Sequence, residues 1–288
     1  MSQILSRAEW EPLEAAHQAR VDAATAAHLE RRQETVKHPV EDFLFTYYSH
    51  RPAQLRRWHP GAGAALEAAE RTWKFYAEQD GASYVDLPAF ASARGDTVRF
   101  VRDLLRATLS RPAHLGCFGL HEWAMVYRLD QTGVRHADWP LRLGGAGTDE
   151  VVESHTVRCS HYDAYRFFTP PARPLNTLLP QRDSQVAMEQ PGCLHAGMDV
   201  YKWAYKLTPV VPSDLVMDCF DLAREIRLLD MQAAPYDLTE LGVEPVRIET
   251  PEGKADYVRR QRAFADRGRT LRERLLEVCD DVLVTAVS

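Results

Sequence analysis

Residues 213–230, SDLVMDCFDLAREIRLLD, carry the reading that decides the fold class of this chain. Ser213 and Asp214 supply side-chain oxygens suited to capping a helix start, and the run behind them reads as helix. Residues 255–278 form a charged terminal helix, so the closing third is helical throughout. At the other end, Ala8 to Gln33 (AEWEPLEAAHQARVDAATAAHLERRQ) is rich in Ala, Glu and Leu without Gly, and it too reads as helix. Pro39 interrupts the chain, and EDFLFTYYSH follows as a short buried segment holding Phe43, Phe45, Tyr47 and Tyr48. PAQLRRW predicts a short helix, HPGAG a tight turn, and AALEAAERTWKFYAEQ (64–79) a second helix. Another helix covers Thr97 to Leu109 and ends at Arg111-Pro112. Gly144 to Gly147 reads as a flexible loop, and residues 148–168, TDEVVESHTVRCSHYDAYRFF, show the β-branched alternation of a strand. The expectation is a mainly α fold: a single helical domain over residues 1–288 with a small central β element.

Composition narrows the function classes. With 288 residues and 45% hydrophobic content the chain is long enough to bury a sizeable core. No apolar stretch approaches the roughly 20 residues of a membrane helix, and the N-terminal stretch is amphipathic rather than signal-like, which places the protein in the cytoplasm and off the membrane. A formal net charge of −6 gives no global attraction to phosphate, so non-specific nucleic-acid binding is disfavoured, although a local basic face remains compatible with it. Five cysteines, an odd number at irregular spacing in so long a chain, point to reduced thiols.

Three of those five have a histidine two or four residues downstream: Cys117 with His121, Cys159 with His161, and Cys193 with His195. Thiolate and imidazole are common metal ligands, and three separate segments are what a buried site draws on. In the strand register Glu153, His155, Cys159 and His161 share one face, and on a helix His195 and Asp199 fall one turn apart. His161, Asp163 and His195 have the composition of the two-histidine, one-carboxylate set that holds non-haem iron and leaves positions open, although its usual frame is a strand-rich barrel. Zinc on a cysteine-containing subset is the other option, and it would make the protein a hydrolase or deaminase acting on a small molecule. The deaminase motif itself is absent, because Cys193, which follows Pro191-Gly192, has no second cysteine three residues on. Against all of this stands the ordinary role of a hydrogen-bonded core histidine and of a packed free cysteine. The centre of a site, if metal-binding, is expected at His121, His161 and His195, with the cysteines packed behind.

The strings HPVEDFLFTYYSHRPAQLRRWHPGAG, GCFGLHEWAMVYR, SHYDAYRFFTPPARPLN, EQPGCLHAGMDVYKWAYKL and SDLVMDCFDLAREIRLLDMQAAPYDL resemble a bacterial family of about this length generally labelled 3-methyladenine DNA glycosylase. The resemblance runs from the first helix to the last. It implies a hydrolase of DNA repair that binds alkylated DNA and releases an alkylated purine without a cofactor, and it carries no motif that assigns catalytic positions. Such an enzyme flips a nucleotide, stacks the cationic base on aromatic faces and sets a carboxylate near the sugar carbon. The candidate carboxylates in aromatic company are Glu122 beside Trp123, Asp163 between Tyr162 and Tyr165, and Asp199 near Tyr201 and Trp203. Trp123, Tyr162 and Tyr165 are the candidate stacking groups, and Arg56 and Arg57 the candidate phosphate contacts; rings at such spacing are most often core. The turn Trp58 to Gly63 resembles the hairpin of helix-hairpin-helix glycosylases, with Asp86 at about the distance of their catalytic acid, but without the Lys-containing pattern around it.

Two further classes have less behind them. The terminal helix could dock a partner, but alternating charges usually mean a solvated face. Dinucleotide, P-loop and nucleophile-elbow motifs are all absent.

Overall fold

In a computed structural model, which describes residues 3–129 and 139–285, the chain is mainly helical with one four-stranded sheet. Helix α1 spans Arg7–Gln33. Its start is held by a capping box in which the Ser6 N–H and Oγ–H both donate to Glu9 Oε2, at 2.8 and 2.7 Å. Short helices α2 (Phe43–Tyr47) and α3 (Pro52–Leu55) follow, with Pro52 at the first helical position, where its missing N–H costs nothing. After the sheet come α4 (Leu87–Leu109), α5 (Leu120–Ala124), α6 (Gly144–Glu153), α7 (Tyr162–Tyr165), α8 (Gln185–Met188), α9 (Leu194–Lys206), α10 (Ser213–Gln232) and α11 (Pro251–Thr285). Among the described residues no helix is long and apolar enough to cross a membrane. All five cysteines are free thiols.

The chain divides into two compact units, one made of residues 1–106, 200–223 and 270–288 and the other of residues 107–199 and 224–269. The first unit holds the sheet. Strands β1 (Gln3–Leu5), β2 (Ala64–Glu67), β3 (Tyr76–Gln79) and β4 (Ala82–Val85) lie in the order β1-β2-β4-β3, with β1 parallel to β2 and the other pairs antiparallel. The predicted helix over 64–79 is therefore replaced by two strands. Ala and Glu favour helix by only tenths of a kcal/mol per residue, and ladder pairing of Ala65 with Ile4 and Tyr84 outweighs that preference. Leu66 is buried against Trp10, Trp58 and Ala69. Trp10 also donates its indole N–H to the Glu67 carbonyl at 3.0 Å, which ties α1 to the sheet. With a strand after it, the turn at Trp58 to Gly63 is no helical hairpin, and Asp86 caps α4 by accepting the Ala89 N–H at 2.9 Å.

The second correction concerns residues 144–168. Gly144 to Gly147 opens helix α6 instead of forming a loop, and residues 148–153 continue that helix instead of a strand. The acidic side chains explain the change: Asp149 accepts the Arg128 backbone N–H at 2.8 Å, and Glu153 accepts from the Tyr127 hydroxyl at 2.7 Å and from Arg128 at 3.0 Å. Those anchors need residues 149 and 153 on one helical face, one turn apart. The shared face of Glu153, His155, Cys159 and His161 consequently does not exist; Glu153 is exposed, and His155 Nδ1 bonds the Val151 carbonyl at the helix end. The β element of the fold is built from residues 3–85.

Within the first unit His50 is buried, stacked on Tyr205 with ring centroids 4.6 Å apart, and its Nδ1 lies 2.9 Å from the Tyr201 hydroxyl. Burial, with the positive charge of Arg57 adding, pushes its pKa down to about 4. A depressed histidine pKa contributes stability that is complete above the unfolded value near 6.5 and is lost as pH falls towards the folded one. Urea unfolding should therefore show the wild type losing about 2 kcal/mol more than a His50→Gln variant between pH 7.5 and pH 4.5. Equal losses would contradict a neutral buried His50.

Candidate metal centre

Helix α10 places Arg227 and Asp230 one turn apart on the face that also buries Ile226, Leu229 and Met231, while Leu228 between them is exposed. Both charged side chains are buried as well, so each needs a partner inside the second unit. Arg227 Nη1 donates to Asp230 Oδ2 at 2.8 Å and to Glu122 Oε1 at 3.3 Å, and His121 Nε2 meets Asp230 Oδ1 at 2.8 Å.

Helix α5 delivers His121 and Glu122 to this point. It begins after Gly119, whose φ of +71° is one that side chains disfavour, and a Cβ there would lie 3.3 Å from Ala233 Cβ. Four residues on, the Trp123 indole N–H donates to the Ala233 carbonyl at 2.8 Å, so both ends of α5 are held against the end of α10. Helix α9 brings His195. A Cβ on Gly197 would stand 2.7 Å from Ile226 Cδ1, so glycine is what allows α9 to approach α10 this closely. The rings of His121 and His195 meet edge to face at 4.4 Å between centroids, and His161 lies 5.3 Å from His195. His161 itself stands at the entry to α7, and its Nε2 is 3.2 Å from Asp199 Oδ2 on α9. The irregular segment before it is clamped by Asn176, which accepts the Cys159 N–H at 2.7 Å and donates to the Cys159 carbonyl at 2.9 Å.

One nitrogen or oxygen each from His121, His195 and Asp230 lies within 4.8 Å of the others. Glu122 Oε2, His161 Nδ1 and His195 Nδ1 are buried without a hydrogen-bond partner. Such atoms are costly unless something else satisfies them. Burial, then the charge on His121, drives His195 well below its ordinary pKa, which keeps the ring neutral with a lone pair to give. Burial opposes charge on His121 too, but the Asp230 carboxylate and their hydrogen bond win and raise it well above the ordinary value. Burial would likewise raise Asp230, and His121, with His195 and Arg227 behind it, instead holds it well below the carboxylate range.

The three Cys/His pairs of the sequence do converge in this unit, with the thiols in a lesser place. Cys117 Sγ is 3.9 Å from His121 Nδ1. Cys159 is pushed up to about 12 by burial, with Cys117 adding, and Cys193 is raised for the same reasons, so these two thiols are protonated at neutral pH. Asp163, the other sequence candidate for an iron ligand, is partly exposed beside Arg166 at 3.5 Å. Asp230 and Arg227 were not among the sequence candidates; their signal was a charge pair three residues apart inside an apolar stretch.

The residues proposed for base excision sit in various settings. Trp123 is fully enclosed, with Arg142 over its ring at 5.0 Å. Tyr162 and Tyr165 are half-buried around α7, with the Arg182 guanidinium 5.9 Å from the Tyr162 ring and Tyr165 packed on Phe168. Asp199 faces His161, and Glu122 faces Arg227. In the first unit Arg56 is paired with Asp22 at 2.7 Å, whereas Arg57 lies 5.5 Å from the Trp73 ring. No family model, curated protein or solved structure matches the chain.

Because Asp230 neutralises two buried cationic groups at once, Asp230→Ala should destabilise the protein by about 3–5 kcal/mol in chemical denaturation, the range for removing one partner of a buried charge pair. A loss below about 1 kcal/mol, the scale of an exposed pair, would show the network to be solvated.

Proposed function

We propose that the chain is a metal-dependent enzyme acting on a small molecule, with a divalent transition metal held by His121, His195 and Asp230. The supporting observation is the approach of three buried donor atoms to within 4.8 Å of one another. Two imidazoles and a carboxylate suit zinc or ferrous iron and leave coordination positions open, which is the arrangement of reactive rather than closed structural sites. A metal so held acts as a Lewis acid that lowers the pKa of bound water or polarises a substrate oxygen.

The chain's own residues would do the rest. Arg227 neutralises Asp230 and orients its carboxylate, leaving the second Asp230 oxygen for His121 or the ion. Metal binding must displace a proton from His121, so affinity falls at low pH. Glu122 Oε2, unbonded and next to the centre through Arg227, is the candidate general base. His161, fixed by Asp199, stands beside His195 with its Nδ1 available to a substrate. A cleft of about 340 Å³ in the same unit includes Ser160, the residue between Cys159 and His161, and is the candidate approach for substrate.

The DNA N-glycosylase reading rests on the resemblance and gains no geometric support: an enclosed Trp123 offers no face to a flipped base, and Arg56 is already neutralised by Asp22. Elemental analysis of protein purified without an affinity tag should find close to one zinc or iron per chain, lost in His195→Ala and in Asp230→Asn. Absence of stoichiometric metal in the wild type would sink the proposal. Release of base from alkylated duplex DNA by metal-free protein would restore the glycosylase in its place.

A further inference from the structure

A cleft of about 360 Å³ in the first unit is lined by Arg57, Arg94 and Lys206 together with His50, His59 and Thr97, and its lining includes no Asp or Glu. Among the described residues these three cations make no ion pair with a carboxylate, while Arg20, Arg56, Arg71 and Arg274 of the same unit all do. Exposed cations are common. Three converging on one concavity with no acid in it leave an excess of positive charge that an anion would neutralise.

The two histidines turn a charged patch into a built site. Both are more than nine-tenths buried, at 7% and 8% exposure. His50 Nδ1 lies 2.9 Å from the Tyr201 hydroxyl and His59 Nδ1 lies 3.0 Å from the Tyr76 hydroxyl. Burial raises the pKa of both tyrosines, so each keeps its proton and can donate it to Nδ1. The ring proton of each neutral histidine is then on Nε2, the nitrogen these bonds leave for a ligand oxygen. Burial first, with neighbouring positive charge adding, pushes His50 down to about 4 and His59 to about 3, so both rings serve as neutral donors at physiological pH. The backbone carrying these groups is pinned: Ser213 Oγ accepts the His59 N–H at 2.8 Å and donates to the Arg57 carbonyl at 3.3 Å. The site is thus preorganised, which lowers the entropic cost of binding.

We propose that this cleft binds the phosphate group of a small phosphomonoester. Its three cations match a dianion better than a monoanionic carboxylate, and its added N–H and O–H donors suit three acceptor oxygens. A volume of about 360 Å³ is at the lower end of small-molecule pockets. Tracking a nucleic-acid strand needs an extended basic surface, which the net charge of −6 disfavours.

Isothermal titration calorimetry on the full chain, at fixed ionic strength, tests this with inorganic phosphate and with AMP against adenosine. Phosphate and AMP should bind saturably at one site per chain and adenosine should not. Arg57→Ala and Arg94→Ala should each weaken binding about tenfold, roughly the loss of one charge-assisted contact. Arg57→Lys should retain most of it, and Arg56→Ala, whose guanidinium is engaged by Asp22, should leave it unchanged. Absence of saturable phosphate binding at millimolar concentration overturns the proposal, as does binding unaffected by both alanine variants when circular dichroism shows them folded. So does a single-stranded oligonucleotide that binds through Arg57 when phosphate and AMP do not, which would assign the surface to nucleic acid.

Discussion

Asp230 carries its charge into the apolar interior of the second unit, and much of that unit's local structure can be understood as the means of accommodating it. A lone carboxylate there would be unsustainable, since desolvation costs several kcal/mol per ion even after relaxation. Two groups share the load: Arg227 from the same helix and His121 from α5. Their positions follow from contacts that have nothing to do with charge. Gly119 admits the close approach of α5 to Ala233, the Trp123 indole fastens it there, and Gly197 lets α9 come down upon Ile226. With these helices in place, the His195 ring meets that of His121 edge to face.

This crowding has a chemical consequence. His121 and His195 are the same residue type at 4.4 Å from each other, yet the field around them drives their proton affinities in opposite directions. His121 faces a carboxylate and is charged; His195 faces His121 and is neutral. A buried neutral imidazole with an unsatisfied nitrogen beside an ionised carboxylate is expensive as pure packing. It is the state a ligand set must reach before an ion can enter. The first unit uses histidine differently, holding His50 and His59 neutral by burial and tyrosine contacts at the edge of a cationic cleft.

Legibility differed by element. The long helices α1, α10 and α11 could be read because helix-favouring composition persists over many residues, although Ser213, expected as a cap, instead bonds the His59 N–H and the Arg57 carbonyl. Residues 64–79 misled because Ala and Glu prefer helix locally while their partners, Gln3 to Leu5 and Ala82 to Val85, are distant in sequence or visible only after folding. Residues 148–153 misled in the opposite sense. Val151 and Val152 imitate a strand, but Asp149 and Glu153 have their partners at Tyr127 and Arg128, and a helix is needed to reach them. Of the site, the histidines were visible as residue types beside cysteines, whereas Asp230 and Arg227 were hidden in what reads as an ordinary amphipathic helix.

By itself the amino-acid sequence determined that this chain is mainly helical and that its thiols are unpaired, and it marked three Cys/His segments of which His121 and His195 enter the candidate site. Those properties reside in composition, parity and short-range spacing. Tertiary structure alone decided where the sheet forms, that Asp230 rather than Asp163 joins His121 and His195, and that the Cys159 and Cys193 thiols are neutral neighbours. The reason is physical: a ladder partner, a buried ion pair and a pKa shift each depend on distances between residues tens to more than a hundred positions apart, and no local preference encodes those distances.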